Sequence, residues 1–303
     1  VNMYKYLGIY LTTRLSFQPT LQDLADRARK GVFVIMKLLW SIGEHSPHIF
    51  FKMFDTQIQP ILTYGSEIWG LMRDQEYIER VHLAALKRFL GINHKSPRHL
   101  VYGETGRFPI FINTNVKCVK FWLRIVNMND DRYPLKAYKM LISLQSQNYS
   151  TWACNIRNIL YKYGFGVVWE AQNVGNISIF IKEFKQRLID CYNQDWHTSL
   201  QSHDFYDVYS QFKQALTLSP YLCLIKNIQM RKSLSRFRIG MSPLNSHFLQ
   251  YKANDNESKL CPFCKNTQES EFHFLLICPR YRELRNELLP TKFWRNPSMF
   301  KFC

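Results

Sequence analysis

The sequence predicts a mostly α fold, a helical bundle with a short β remnant at its N-terminus and a small Cys/His region at its C-terminus. Three observations carry this. Apolar residues recur at helical spacing in one segment after another. Aromatic and β-branched residues crowd into a single short run at residues 4–11. Of the eight cysteines, three gather at Cys261, Cys264 and Cys278. A chain of 303 residues with 46% apolar content can build one real core or two modest ones. Its 15% aromatic content excludes disorder. No run reaches about 18 uncharged apolar residues, so neither a membrane span nor a membrane partner is expected. Lys117, Lys120 and Arg124 break the greasiest stretch, around Phe121 and Trp122.

Taken in order, residues 4–11 read as one strand around Gly8. From Leu21 the period becomes helical, with Leu21, Leu24, Ala25, Ala28, Val32, Ile35, Met36 and Leu39 on one face, until Gly43 and Pro47. Residues 49–58 read as a helix stopped by Pro60. Residues 75–90 form an amphipathic helix on Ile78, Val81, Ala85, Leu86, Phe89 and Leu90, with Gly91 beyond its end. Ser96-Pro97 reads as a cap with proline at the first helical position. Further helices are predicted at residues 116–128, 179–192 and 206–216, and around Trp152, Ile156 and Leu160. The polar stretch 194–204 reads as a linker.

Charge narrows the function. Forty Lys and Arg stand against 23 Asp and Glu, a net charge of +17, which favours polyanionic partners and disfavours a neutral metabolic enzyme or a small-molecule substrate. Residues 226–240 hold five basic residues and no acidic one. At helical period Met230, Leu234 and Phe237 share a face, with Lys232 and Arg236 opposite and Arg231 and Arg238 on a flank. Lys226, Arg231, Lys232, Arg236 and Arg238 are therefore the candidate nucleic-acid contacts. An ordinary surface helix with snorkelling cations is the open alternative.

Cys118, Cys154, Cys191, Cys223 and Cys303 are scattered singly, which points to a reducing compartment rather than a disulfide framework. Glycosylation-type triplets at Asn148, Asn176 and Asn256 are short enough to arise by chance. The tail carries a C-x2-C-x8-H-x4-C pattern at Cys261, Cys264, His273 and Cys278. Two thiolates two residues apart reach one ion, and the His/Cys pair completes a tetrahedron, the usual set for structural zinc. His273 and Cys278 would stand about 140° apart on a continuous helix. Pro279, however, pushes Cys278 out of the α region, which ends the helix and lets Cys278 turn back to the metal. Four protein ligands leave no open position for a catalytic water, so a zinc hydrolase is disfavoured.

Four stretches, in order, resemble the C-terminal part of a non-LTR (LINE-type) retrotransposon reverse transcriptase. Tyr4-Lys5-Tyr6-Leu7-Gly8-Ile9 is similar to the Tyr-Leu-Gly strand ending the palm, with the thumb helix after it. Tyr64-Gly65-Ser66-Glu67-Ile68-Trp69-Gly70, with Lys87-Arg88-Phe89-Leu90-Gly91, resembles the next helical block. Val101-Tyr102-Gly103-Glu104-Thr105-Gly106-Arg107-Phe108-Pro109 resembles the family's Tyr-x-Glu-x-Gly-Arg-x-Pro stretch. Ser235-Arg236-Phe237-Arg238-Ile239-Gly240, Pro243-Leu244 and the run from Glu271 to Pro279 resemble its zinc-binding close. Residues 146–218 match nothing in the family.

The resemblance implies an end of palm-like strand region at 1–20, a thumb-like helical region at 21–105, a helical connecting region at 106–220, and a basic helix with a zinc-binding region at 221–303. It implies RNA and/or DNA and the upstream polymerase core of the parent polyprotein as partners, and an intracellular ribonucleoprotein in nucleus and cytoplasm. The chain starts at Val1 within apparent structure and is expected to be a fragment. Asn129-Asp130-Asp131 is not the Mg²⁺-holding aspartate pair, because it follows the Tyr-Leu-Gly strand and ends a helix. That pair, and Mg²⁺ with it, would belong to the upstream core. The reading is a nucleic-acid-binding segment that supports target-primed reverse transcription. The alternative is a retroelement-derived zinc-binding adapter for protein. The isolated chain should extend no primed template with Mg²⁺ or Mn²⁺; robust extension abolished by Asp130→Ala would place the catalytic pair here after all.

Overall fold

The computed structural model describes residues 2–14, 16–72, 75–147, 149–202, 207–248 and 259–297. It is mostly helical, with a small two-stranded sheet at the N-terminus. The chain divides into two units, one of Val1–Ala85 and Phe108–Gln194, the other of Leu86–Arg107 and Asp195–Cys303.

The first unit opens with a hairpin, not the single predicted strand. Strands β1 (Met3–Tyr6) and β2 (Ile9–Thr12) pair antiparallel, Met3 opposite Thr12 and Tyr6 opposite Ile9. Leu7 and Gly8, at φ 46° and 85°, make the two-residue turn, whose left-handed backbone suits the strand twist. Periodicity alone missed it because the apolar run carries straight through the turn. The hairpin is tied down by Tyr10 N–H, which donates to Thr20 Oγ1 at 2.8 Å, and by Tyr64 Oη–H, which donates to Leu7 O at 2.8 Å. Helix α1 (Gln18–Ser41) buries Leu21, Leu24, Ala25, Ala28, Val32, Ile35, Met36 and Leu39, the face read from its period.

Helix α2 (Pro47–Met53) does not stop at Pro60. It loosens into a π-helical turn over Phe54–Ile58 and resumes as α3 (Gln59–Leu62). Pro60 lacks the N–H that an α-helix would need, and its ring crowds the preceding turn; the wider π turn absorbs both. Phe50, Phe54, Ile58 and Leu62 are buried along this broken helix.

Gly65, at φ 65°, starts α4 (Ser66–Trp69), and α5 (Glu76–Leu90) buries Ile78, Val81, Ala85, Leu86, Phe89 and Leu90 as expected. Helix α6 (Arg98–Thr105) begins one residue beyond the predicted start, so Pro97 is the cap residue, at ψ 138°, instead of the first helical one. Helix α7 (Ile110–Val126) starts earlier than predicted. The cap residue before it, Pro109, offers no side-chain cap, and the buried Glu79 accepts from Ile110 N–H at 2.8 Å. Asp130 sits in the turn after α7, exposed and paired with Lys139, a solvated helix-end turn as read from the sequence.

Helices α8 (Tyr133–Ser146), α9 (Trp152–Lys162), α10 (Gly166–Ala171) and α11 (Ile177–Gln201) follow. A core of this unit stacks Trp122 on Trp169 at 5.7 Å and adds Phe180 and Phe184. Tyr138 Oη joins it, accepting from Trp122 Nε1 at 2.9 Å and donating to Gln172 Oε1 at 2.6 Å. The expected linker at 194–204 is helical through Gln201. Its apolar side explains why: Trp196 and Leu200 are buried one helical turn apart. Residues 203–206 lie outside the described part, as do Asn148, Asn256 and Cys303.

In the second unit Leu100, Trp196, Leu200, Tyr209 and Ile239 share a core. Helix α12 (Asp207–Phe212) is shorter than the predicted 206–216, and α13 (Tyr221–Leu224) follows. Helix α14 (Ile228–Arg238) is capped by the Asn227 carboxamide oxygen, which accepts from Gln229 and Met230 N–H at 2.9 and 3.1 Å. Short helices α15 (Asn245–Phe248) and α16 (Arg282–Leu288) complete it.

Arg238 on α14 grips the Glu104 carboxylate of α6 with both ends of its fork, Nε at 3.0 and 3.2 Å and Nη2 at 3.0 Å. Glu104 has no exposure to water. Gly106 closes α6 at φ 63°, where a Cβ would lie 2.3 Å from Leu218 N. Removing one partner of a buried pair strands the other charge, which costs about 3–5 kcal/mol. Glu104→Gln should lower unfolding stability by an amount of that order in denaturant titrations, and Glu104→Gln with Arg238→Met should lose less than the sum of the single variants.

Candidate metal centre

The Cys/His cluster is assembled by three local devices in the second unit. The first is a turn. Lys265 N–H donates to Cys261 O at 2.9 Å, with Lys265 itself left-handed at φ 55°. Cys261 N–H reaches Thr267 O at 2.8 Å, and Leu260 bridges to Gln268. This fold-back sets Cys261 and Cys264 at the two ends of one tight loop.

The second device is a π-helical turn over His273–Ile277. Cys278 N–H donates to His273 O at 2.7 Å, an i to i+5 bond. An α-helix would hold residues five apart well round the axis from each other; the wider turn brings them to one side. Cys278 then leaves the helix at φ −54°, ψ 125°, as its position before Pro279 predicts.

The third device is Arg285. It is buried, and it donates through Nε to Leu275 O at 2.7 Å and through Nη2 to Cys278 O at 2.9 Å. These bonds tie the end of the π-helical turn to α16, and Cys278 O also accepts from Tyr281 N–H at 3.3 Å. Nothing in the spacing of the cysteines pointed to Arg285.

Together these devices gather Cys261, His273 and Cys278, all buried, with their ligand atoms within 4.8 Å of one another. The group could hold a metal ion. Cys261 Sγ and Cys278 Sγ are 3.8 Å apart, and Cys264 Sγ stands 3.3 Å from His273 Nε2. All four sequence-predicted ligands therefore lie in one neighbourhood, with Cys264 the more exposed member.

Thr267, which the motif did not single out, lies 2.9 Å from His273 Nδ1. A proton held on Nδ1 by that hydroxyl leaves the Nε2 lone pair for an ion, the usual arrangement behind a metal-bound histidine. The Asn266 backbone N–H holds the Cys264 thiol below its ordinary range. Burial pushes the His273 imidazole down toward its neutral form, and pushes the Cys278 thiol up. Thiolate sulfurs with one imidazole suit zinc. By contrast, Cys118 donates to Ser66 O at 3.0 Å and burial raises its thiol to about 12, which makes it an inert core residue.

The basic candidates are divided. Lys226 and Arg236 are exposed, and Lys232 is half-buried across Gly91, whose carbonyl takes Arg236 Nε at 2.7 Å. Arg231 is buried and Arg238 is drawn inward with only part of its side chain left in solvent, a correction to the sequence reading. Arg231 is 3% exposed, donates to Leu222 O at 3.3 Å and lies over the Phe89 ring at 5.0 Å. Arg238 is held by Glu104 and lies over Phe212 at 4.3 Å. The helix is turned so that Arg231, Ser235 and Ile239 face inward, while Met230 of the predicted apolar face is 65% exposed. A distant buried carboxylate, which local periodicity cannot register, sets this rotation.

No family model, no curated protein and no solved structure matches this chain. Among the described residues no helix is long and apolar enough to cross a membrane. Metal analysis of the purified protein should find one bound ion per chain, lost in Cys278→Ser and retained in Cys191→Ser. A chain free of metal after expression in zinc-replete medium would remove the site.

Proposed function

We propose that this chain is a nucleic-acid-binding C-terminal segment of a non-LTR retrotransposon reverse transcriptase. It would support template–primer or target binding in target-primed reverse transcription, without the catalytic carboxylates. The observation that carries this reading is charge. A net +17 draws the chain to polyanions, and Lys226 and Arg236 stand exposed on or beside a single helix with Lys232 between them. The four ordered sequence stretches support the parent enzyme. Two of them supply Glu104 and Arg238, so residues of the resembling motifs serve one another in the core.

On this reading the ion is zinc, held by Cys261, Cys264, His273 and Cys278. A closed set of four protein ligands supplies folding energy to the tail and no hydrolytic chemistry. Mg²⁺ and the phosphoryl transfer belong to the upstream polymerase core, the segment's expected partner in a ribonucleoprotein of nucleus and cytoplasm. RNA and DNA are both candidate ligands, since phosphate contacts do not separate them.

The test is a salt series. Each phosphate neutralised contributes about 0.9 to the log–log slope on duplex DNA. Replacing Lys226, Lys232 and Arg236 with Gln should leave the fold intact, weaken binding uniformly across sequences, and reduce the slope by roughly two to three. A wild-type protein that binds no nucleic acid at low salt but captures a protein partner through α14 would favour the adapter reading instead.

A further inference from the structure

Phe263 stands between the two cysteines of the Cys261–Cys264 loop and is 55% exposed. The ring is exposed and also supported by neighbouring rings. Tyr281 meets it at 6.1 Å and 78°. Phe274 meets Tyr281 at 4.7 Å, and Phe237 of α14 meets Phe274 at 6.3 Å. This file of rings roots the exposed one in the body of the second unit. The Arg280 guanidinium lies over Phe263 at 5.5 Å, itself exposed, and Lys265 is exposed on the same loop. The nearby carboxylates Glu269 and Glu271 are buried.

An exposed aromatic ring held by its neighbours, with an arginine over one face and a second cation on the same loop, is complementary to a flat ring attached to phosphate. We infer that Phe263 is a stacking platform for an unpaired nucleobase, with Arg280 and Lys265 taking the adjoining phosphates. This rests on the nucleic-acid reading above and adds a preference to it: single strands over duplex, since paired bases do not offer their faces. Because the ring is already held in place by its neighbours, little conformational freedom is lost when a base arrives.

The test uses the full, metal-loaded chain with two probes, single-stranded oligothymidylate and an abasic oligonucleotide of the same length. Wild type should prefer oligothymidylate. Phe263→Leu keeps apolar contact with Tyr281 but loses the π face. It should bind oligothymidylate about 5- to 100-fold more weakly with abasic binding unchanged. Phe263→Trp should keep the preference, and both variants should retain the metal. Equal loss on both probes in Phe263→Leu would make the residue a structural support and overturn the inference. Equal wild-type affinity for both probes would overturn it too, while leaving the charge-based reading standing. A wild type that binds neither probe overturns both, and a protein partner lost in Phe263→Leu would then assign the platform to the adapter reading.

Discussion

Burying an unpaired carboxylate is among the most unfavourable acts a fold can perform, and the second unit is arranged around avoiding it. Glu104 is fully removed from water, so a cation must reach it in good geometry, and Arg238 does so from 134 residues away in sequence. That requirement fixes the rotation of α14. Once Arg238 points at Glu104, Ser235 and Arg231, three and seven residues earlier, fall on the same inward side. The surrounding groups then fit the pair: Ser219 N–H donates to Glu104 O at 2.9 Å, and Lys213 donates to Ser219 Oγ at 3.0 Å. Tyr221 Oη lies 2.9 Å from Ser235 Oγ. The ion pair joins α6 to α14, and the backbone bond from Ser219 to Glu104 O adds the segment between α12 and α13.

This explains what could and could not be read along the chain. In α1 the buried face repeats every helical turn and consists only of apolar residues, so spacing identifies it residue by residue. In α14 the same spacing points to Met230, Leu234 and Phe237 as the inward stripe, because they are its apolar residues at helical period. The true inward face holds Arg231, Ser235 and Ile239, and two of these three are polar. Long-range charge pairing leaves no periodic trace in a single sequence. The hairpin was hidden for a related reason: Leu7 is apolar and looks like strand, although its backbone is left-handed.

The Cys/His group that could hold an ion is legible because its chemistry is rare and its spacing short, whereas the scaffold around it is not. Thr267 and Arg285 are ordinary residues whose roles depend on position alone. Two π-helical turns among the described residues show how proline acts at a distance from itself. Pro60 leads its helix to widen ahead of it, and Pro279 ends the turn that carries His273 toward Cys278. In the first case the widened turn preserves a buried row of phenylalanines; in the second it converts an unsuitable angular offset into a shared donor site.

Charge counted in a composition and charge presented to a partner are different quantities, and α14 separates them. Arg231 and Arg238 are spent inside the second unit, the first on a backbone carbonyl and an aromatic face, the second on Glu104. Lys226 and Arg236 stay at the surface, with Lys232 lying across Gly91. A ligand that approaches this helix therefore meets about three cations and not five, and the slope of its salt dependence is bounded accordingly. The same distinction applies at the Cys261–Cys264 loop. There Arg285 is consumed in holding carbonyls, whereas Arg280 and Lys265 remain outside beside an exposed ring. Surface cations near aromatic faces, rather than total basicity, are what can distinguish a single strand from a duplex, because phosphates are common to both and accessible base faces are not.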